Sequence, residues 1–263
     1  WFDISKYSER VSSIGARKIV GINMIIIYFF RSLLCDFLMY FFMAFIGILG
    51  VPFAFFSRDN TYKLIRLYCK SVFLVLKYVA GLKLEIRGIV PTEPCLICSK
   101  HQSFLDVMML ASILPNFRFI IKHQLTYLPI IGFYARQTGC VPVNRKKKIG
   151  TVNKMLVALN QEKDRQTVVY PQGTRVLPYA QKPYKFGAGL IYKSLNLKCC
   201  LVATNTGSFW ARRSLYRYPG TAIVEFIDVL DPGMEVDEFM LQIEKKIELA
   251  STKLMDEAAA SKI

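Results

Sequence analysis

Histidine is scarce in this chain of 263 residues, and that scarcity excludes most metal enzymes. With two histidines, His101 and His123, neither an HExxH pair nor a multi-histidine cage can be built. A Walker A sequence is missing, and the GxG at Gly187 to Gly189 lacks the third glycine of a dinucleotide fingerprint. We therefore expect no metal and no bound cofactor.

Acidic residues are scarce in the middle of the chain. The whole sequence carries 35 Lys and Arg against 19 Asp and Glu, a net charge of +16, and 53% of its residues are hydrophobic. Between residues 94 and 224, nineteen bases accompany three acids, Asp106, Glu162 and Asp164. A chain both basic and apolar favours an anionic membrane surface, and no nucleic-acid recognition module accompanies the charge. We expect membrane lipids as partners and no nucleic acid.

The seven cysteines are odd in number and scattered, which indicates reduced core thiols rather than a disulfide framework. Cys95 and Cys98 match CxxC. They lie inside an apolar, strand-like run instead of at a strand-to-helix turn, so a redox role is disfavoured.

Residues 1–80 are expected to form a membrane-associated unit. Phe37–Phe56 is twenty residues without a formal charge, long enough as a helix to cross a hydrocarbon core of about 30 Å. Ile19–Phe30 is a second uncharged run, separated from the first by Arg31 and Asp36. Because positive charge flanks the pair on both sides, we predict a two-helix hairpin in the membrane, with one transmembrane helix as the alternative. The bases that follow recur on one helical face and predict a basic amphipathic helix against headgroups or solvent: Lys63, Arg66, Lys70 and Lys77.

After Gly81, short aliphatic runs alternate with helical segments, a pattern typical of an α/β fold. Strands are predicted at Leu84–Arg87, Cys95–Ser99, Arg118–Ile121, Cys140–Val143, Thr167–Tyr170, Cys199–Ala203 and Thr221–Ile227. Helices are predicted at Phe104–Leu114, Leu128–Arg136, Gly150–Asn160, Phe186–Leu195 and Val236–Met255. We expect residues 81–263 to form an α/β catalytic domain with a mixed sheet flanked by helices.

His101 follows a predicted strand and stands five residues before Asp106. Ser103 and Asp106 have the spacing of a capping box, which predicts a helix that begins at Ser103 with His101 in the preceding loop. The imidazole can then fold back onto the carboxylate. Such a carboxylate would fix the tautomer and leave the other ring nitrogen free to take a proton. The alternative is a structural cap beside an unreactive histidine.

These residues resemble a known family. The segment from Lys100 to Asp106 resembles the HX4D signature of the glycerolipid acyltransferases, in particular the bacterial 1-acylglycerol-3-phosphate acyltransferase group. Three further blocks follow in the family's order, at Gly139–Arg145, Tyr170–Arg175 and Leu201–Gly207. The resemblance covers roughly residues 80–230. It departs from the family at three positions that usually hold Asn, Glu and Pro: Lys100, Gln172 and Ala203.

The resemblance implies acyl transfer from acyl-CoA or acyl-carrier protein to the sn-2 hydroxyl of lysophosphatidic acid, which gives phosphatidic acid. His101 oriented by Asp106 would be the general base. Arg145 and Arg175 would bind the substrate phosphate, with Lys122 as a helper. Gly173, Thr174 and Gln172 would support the substrate or the oxyanion. An apolar acyl tunnel is expected by analogy, at the cytoplasmic face of a bacterial inner membrane.

Several alternatives stay open. The acceptor could be another lysolipid, such as a lyso-ornithine lipid or a lysophospholipid, or glycerol 3-phosphate. Ser103 or Cys98 could in principle act as a nucleophile. A non-catalytic membrane protein that binds anionic lipids would also explain the charge. The acyl-chain preference and the oligomeric state are not indicated.

Overall fold

One seven-stranded sheet contains every strand that the sequence pattern predicts. The computed structural model describes residues 22–144 and 150–260. The strands are β1 Leu82–Arg87, β2 Leu96–Ser99, β3 Phe117–Lys122, β4 Val141–Val143, β5 Gln166–Val169, β6 Cys199–Thr204 and β7 Gly220–Leu230. Their order is β1-β7-β6-β2-β5-β3-β4. The pair β6 and β7 is antiparallel and the other neighbours are parallel, so the predicted mixed sheet is confirmed.

Helices cover both faces of this sheet. They are α1 Ile22–Leu49, α2 Val51–Phe56, α3 Arg58–Val75, α4 Leu105–Ile113, α5 Pro129–Gln137, α6 Thr151–Gln161, α7 Gly187–Leu195 and α8 Val236–Ala260. A π-helical turn at Leu76–Ala80 and 3₁₀ turns at His123–Tyr127 and Thr206–Ser208 complete the described elements. The five helices predicted after Gly81 correspond to α4 to α8. Two large apolar clusters result, one on each face, and a third small one contains Ala203, Ile223 and Leu254.

The central strand β2 shows why the CxxC pair is structural. Successive side chains of a strand point to opposite faces, so residues three apart are on opposite sides. Cys95 packs in one apolar cluster and Cys98 in the other. The two thiols cannot bond to each other across the sheet, and all seven cysteines are free.

The N-terminal helices differ from the prediction in where the chain turns. We predicted a break between Phe30 and Phe37, but α1 continues through Arg31 and Asp36. Both polar residues have partners that offset the free-energy cost of placing a polar side chain in an apolar environment. Arg31 donates to the carbonyl oxygen of Val79, and Asp36 forms an ion pair with Arg217.

The hairpin is formed instead by α1 and the predicted basic helix, α3. The chain reverses through α2, and α1 packs against α3 along the return. The basic face of α3 is divided: Lys63 and Lys70 are exposed, whereas Arg66 Nη2 donates to the carbonyl oxygens of Leu114 and Pro115 at 2.9 Å each. Arg66 therefore fastens α3 to the sheet domain rather than facing headgroups or solvent.

Candidate active site

The candidate residues follow the carboxyl ends of neighbouring parallel strands. His101 lies just beyond β2, the Tyr170–Arg175 block begins where β5 ends, and Lys122 is the last residue of β3. Because β2, β5 and β3 pair in parallel, these ends meet at one edge of the sheet. Ligands in open α/β sheets commonly bind at that edge.

His101 and Asp106 meet in the loop between β2 and α4. His101 Nδ1 lies 2.9 Å from Asp106 Oδ1, and the carboxylate is fully buried while 17% of the histidine side chain is exposed. Asp106 Oδ2 accepts the backbone N–H groups of Gln102 and Ser103, each at 2.8 Å. A carboxylate can only accept, so Nδ1–H donates and Nε2 is left with its lone pair. The ring can take a proton at Nε2.

The contacts of the predicted capping box are present. We expected α4 to begin at Ser103, but it begins at Leu105. The Ser103 N–H nevertheless donates to Asp106 Oδ2 at 2.8 Å, which is the reciprocal bond of a capping box. The Ser103 hydroxyl in turn accepts the N–H of Leu105 at 3.1 Å.

Tyr170 fixes the orientation of the imidazole ring by stacking on it. Its ring stacks on that of His101 with centroids 4.0 Å apart and an interplanar angle of 21°. Burial, and then the Asp106 carboxylate, raise the pKa of Tyr170 well above its usual value, so the phenol stays neutral. Together, stacking and the bond to Asp106 fix the direction of Nε2.

An apolar cavity of about 590 Å³ opens beside His101. Its walls come from α1, α3, α4, α5 and the neighbouring strands, and they include Met43, Ile46, Leu64, Ile65, Tyr68, Val107, Met108, Ile130 and Ile131. The N-terminal helices are thus part of the pocket. A volume of about 300–1,000 Å³ is usual for a small-molecule site.

Cations share the cavity with His101. Arg175, Arg212 and Lys122 all line it. Arg212 Nη1 donates to the carbonyl oxygen of Arg175 at 3.3 Å, so the two residues are adjacent. Burial, and then the Arg212 charge, lower the pKa of Arg175 from its usual value. Both arginines line one cavity in a segment poor in acids, an arrangement that attracts an external anion.

The remaining predicted residues fall in different places. Gly173 and Thr174 line the cavity, and Gly173 has φ of +67°, a conformation that glycine adopts readily. Gln172 is buried, and its Nε2 donates to Glu248 Oε1 at 3.1 Å. Arg145 lies outside the described residues.

Neither alternative nucleophile is well placed. Cys98 is fully buried and packs in the cluster with Leu96 and Leu201. Ser103 is fully buried as well, and its hydroxyl is engaged with Leu105. Neither side chain lines the cavity beside His101.

Comparisons with known proteins identify the family of this chain. The Acyltransferase family model matches residues 82–213, and the chain belongs to that family. It is similar to the 1-acyl-sn-glycerol-3-phosphate acyltransferase of Pseudomonas aeruginosa, with 24% identity over 65% of this chain and 66% of that protein. It is also similar to the 1-acyl-sn-glycerol-3-phosphate acyltransferase of Helicobacter pylori, with 26% identity over 75% of this chain and 84% of that protein. The chain therefore spans about two thirds of the Pseudomonas protein's length. The crystal structure of the LPA acyltransferase PlsC from Thermotoga maritima superimposes with a TM-score of 0.70 at 19% identity, over 86% of this chain and 97% of that one, and shows the same fold.

Sequence reasoning missed two residues near the site. Arg212 follows the fourth block and gave no motif signal of its own. Glu248, whose carboxylate accepts from Lys100 and Gln172, lies in the acidic C-terminal region, beyond the residues that the family model matches. The scarcity of acids around Arg212 was the available hint for the first, and no local pattern pointed to the second.

Proposed function

We propose that this acyltransferase transfers an acyl chain from a thioester, acyl-CoA or acyl-carrier protein, to the sn-2 hydroxyl of lysophosphatidic acid. One observation carries the proposal: the His101–Asp106 pair stands where an apolar cavity meets the Arg175 and Arg212 guanidiniums. The substrate has the matching parts, a hydroxyl between an acyl chain and a phosphate. The names of the relatives add support.

The reaction follows from these positions. His101 Nε2 takes the proton of the sn-2 hydroxyl while that oxygen attacks the thioester carbonyl carbon. The new O–C bond forms, the tetrahedral intermediate breaks its C–S bond, and the leaving thiolate receives the proton from the imidazolium. Asp106 stabilises the imidazolium between these steps. The Thr174 hydroxyl would be the donor to the oxyanion or the phosphate, because Thr174 lines the cavity whereas the Gly173 N–H already donates to the Tyr170 carbonyl oxygen at 2.8 Å.

The acceptor is tested by turnover of the wild type and of Arg212→Gln. The wild type is expected to convert lysophosphatidic acid to phosphatidic acid with an acyl-CoA, measured by mass spectrometry of the lipid product. Arg212→Gln should raise the KM for lysophosphatidic acid about tenfold, because a hydrogen bond to a charged group contributes about 1.5–3 kcal/mol. The KM for the acyl donor should stay unchanged.

Arg213→Gln is the matched control, since Arg213 is the exposed neighbour with the same charge. It should leave the KM for lysophosphatidic acid within about twofold of the wild-type value. Wild-type turnover of another lysolipid or of glycerol 3-phosphate, but not of lysophosphatidic acid, would contradict the proposed acceptor. A rise in the acyl donor's KM in Arg212→Gln would contradict the role of Arg212.

The N-terminal helices lie in the surface of a membrane, with α1 parallel to its plane. Ile25–Leu49 is long and apolar enough to cross a bilayer by length and composition, and 22% of its apolar window is buried. The phenylalanines Phe30, Phe37, Phe53 and Phe56 are between 62% and 84% exposed. An apolar face of this kind fits lipid better than water.

Two contacts that lie far apart along α1 support the in-plane arrangement. Ser32 Oγ accepts the N–H of Arg217 at 2.8 Å, and the Gly47 carbonyl oxygen accepts the Tyr134 hydroxyl at 3.2 Å. These contacts are about 22 Å apart along a helix that rises 1.5 Å per residue. A helix perpendicular to the bilayer would therefore carry the sheet domain into the hydrocarbon core.

Cysteine labelling distinguishes the in-plane helix from a transmembrane one. Ile25 lies near the start of α1, and Asp59 lies at the start of α3, beyond the other end of α1. In intact cells, neither Ile25→Cys nor Asp59→Cys should react with a membrane-impermeant maleimide. In inverted membrane vesicles Asp59→Cys should be labelled, with the wild type as the blank. Labelling of Ile25→Cys in intact cells, with Asp59→Cys protected, would mean that α1 crosses the membrane.

A further inference from the structure

A buried ammonium group stands directly before His101. The Lys100 side chain is 1% exposed, and its Nζ forms an ion pair with Glu248 Oε2. A lysine is almost never fully buried unless it is paired. The Lys100 backbone is fixed as well, since its N–H donates to the Val202 carbonyl oxygen at 3.1 Å. The residue next to the base is therefore held by both its main chain and its charge.

Glu248 collects donors from three separate segments. Besides Lys100, Gln172 Nε2 donates to Oε1 at 3.1 Å and the Tyr184 hydroxyl donates to Oε1 at 3.0 Å. Burial, and then the Glu248 carboxylate, raise the pKa of Tyr184, so it remains a neutral donor. One carboxylate of α8 thus joins the loop after β2, the loop after β5 and the approach to α7.

The first two of these segments carry the parts of the proposed site. Lys100 precedes the base His101, and Gln172 precedes Gly173 and the cation Arg175. The loops also meet directly, because the N–H of Val176 donates to the His101 carbonyl oxygen at 2.7 Å. Glu248 and this backbone bond hold the same two loops together at different points.

We propose that Glu248 is a positioning residue that fixes the separation between His101 and Arg175, and hence between the base and the group that grips the acceptor's phosphate. This inference rests on the proposed function. Glu248 touches neither reacting atom and acts through Lys100 and Gln172. A further contact ties the same helix to the His101 loop, since Gln102 Nε2 lies 3.3 Å from Met255 Sδ. The C-terminal helix is thereby part of the active-site frame.

A charge exchange tests the proposal. Glu248→Gln leaves the buried Lys100 without its counter-charge, and Gln172→Glu places a second carboxylate against the first. Each single variant should lower kcat/KM for the acceptor between about 10- and 100-fold, because small misplacements of reacting groups are that costly. The double variant Gln172→Glu/Glu248→Gln again has one carboxylate, one amide and one ammonium group in this cluster. Its kcat/KM for the acceptor should recover to within about threefold of the wild-type value.

The readouts separate positioning from general stability. Each variant is assayed under conditions in which its circular dichroism spectrum shows that it is folded. The KM for the acyl donor should change less than the kcat and the KM measured for the acceptor. Glu244→Gln, one turn earlier on α8, is the matched control and should behave as the wild type. If Glu248→Gln does not fold, Glu248→Asp keeps the charge but shortens its reach, and it should lose rate while remaining folded. A folded Glu248→Gln with unchanged kinetics, or a double variant no better than the worse single one, would overturn the proposal.

Hydrogen exchange makes the test independent of the substrate. In Glu248→Gln the N–H groups of Gln102, Ser103 and Val176 should exchange faster than in the wild type, whereas Glu244→Gln should leave them unchanged. Unchanged protection of these amides would overturn the positioning role even if activity fell. If the wild type acylates no lysolipid while the exchange result holds, the proposed function fails and the link between the two loops stands.

Discussion

Replacing His101 with alanine is expected to lower kcat by about 10²–10⁴-fold, the usual contribution of a positioned general base. The effect should fall on kcat because Arg175 and the apolar cavity still bind the substrates. The protein should stay folded, since the imidazole is partly exposed and Asp106 keeps its two backbone N–H donors. The measurement is steady-state acylation of lysophosphatidic acid with circular dichroism of the same samples.

The second histidine of the chain is the natural control. His123 begins a 3₁₀ turn beside Lys122, and its Nε2 lies 3.0 Å from the Tyr127 hydroxyl. His123→Ala should keep kcat within about twofold of the wild type. A His101→Ala protein that retains more than a tenth of wild-type turnover would rule out the proposed base.

Short-range patterns predicted the sheet and the His–Asp pair. Runs such as Thr167–Tyr170 are apolar, bounded by polar residues and too short for helices, so their identity as strands was local information. The five-residue spacing of His101 and Asp106 is local too, and the bond between them depends on a single loop. These features could be predicted because few distant contacts influence them.

Long-range contacts account for what the sequence did not indicate. Arg31 and Asp36 resembled a break between helices, but their partners Val79 and Arg217 are far along the chain and stabilise them within α1. Lys100 pairs with a carboxylate 148 residues away. No window of the sequence contains both members of such a pair, so neither the continuous helix nor the role of α8 could be derived from periodicity.

Asp106→Asn is expected to be nearly as harmful as loss of the histidine. Asp106 uses Oδ1 for His101 and Oδ2 for the two backbone N–H groups. An asparagine has one oxygen and one NH₂ group, so it cannot accept on both sides. If its NH₂ faces the imidazole, Nδ1 must accept, the proton moves to Nε2 and the base is lost. If its oxygen faces the imidazole, the NH₂ opposes two buried donors. We expect kcat to fall by about 10²–10⁴-fold, up to the loss that follows when a histidine is held in the wrong tautomer.

Two further variants make this result specific. Thr206 Oγ1 approaches Asp106 Oδ2 at 3.5 Å, a marginal distance, so Thr206→Val should cost less than about threefold in kcat. The double variant His101→Ala/Asp106→Asn should be no slower than His101→Ala alone, because residues that act as one unit are not additive. A double variant slower by the product of the two single effects would mean that Asp106 assists the reaction independently of the imidazole. Its carboxylate would then have to be assigned another role, such as holding the loop that carries the Gln102 and Ser103 N–H groups.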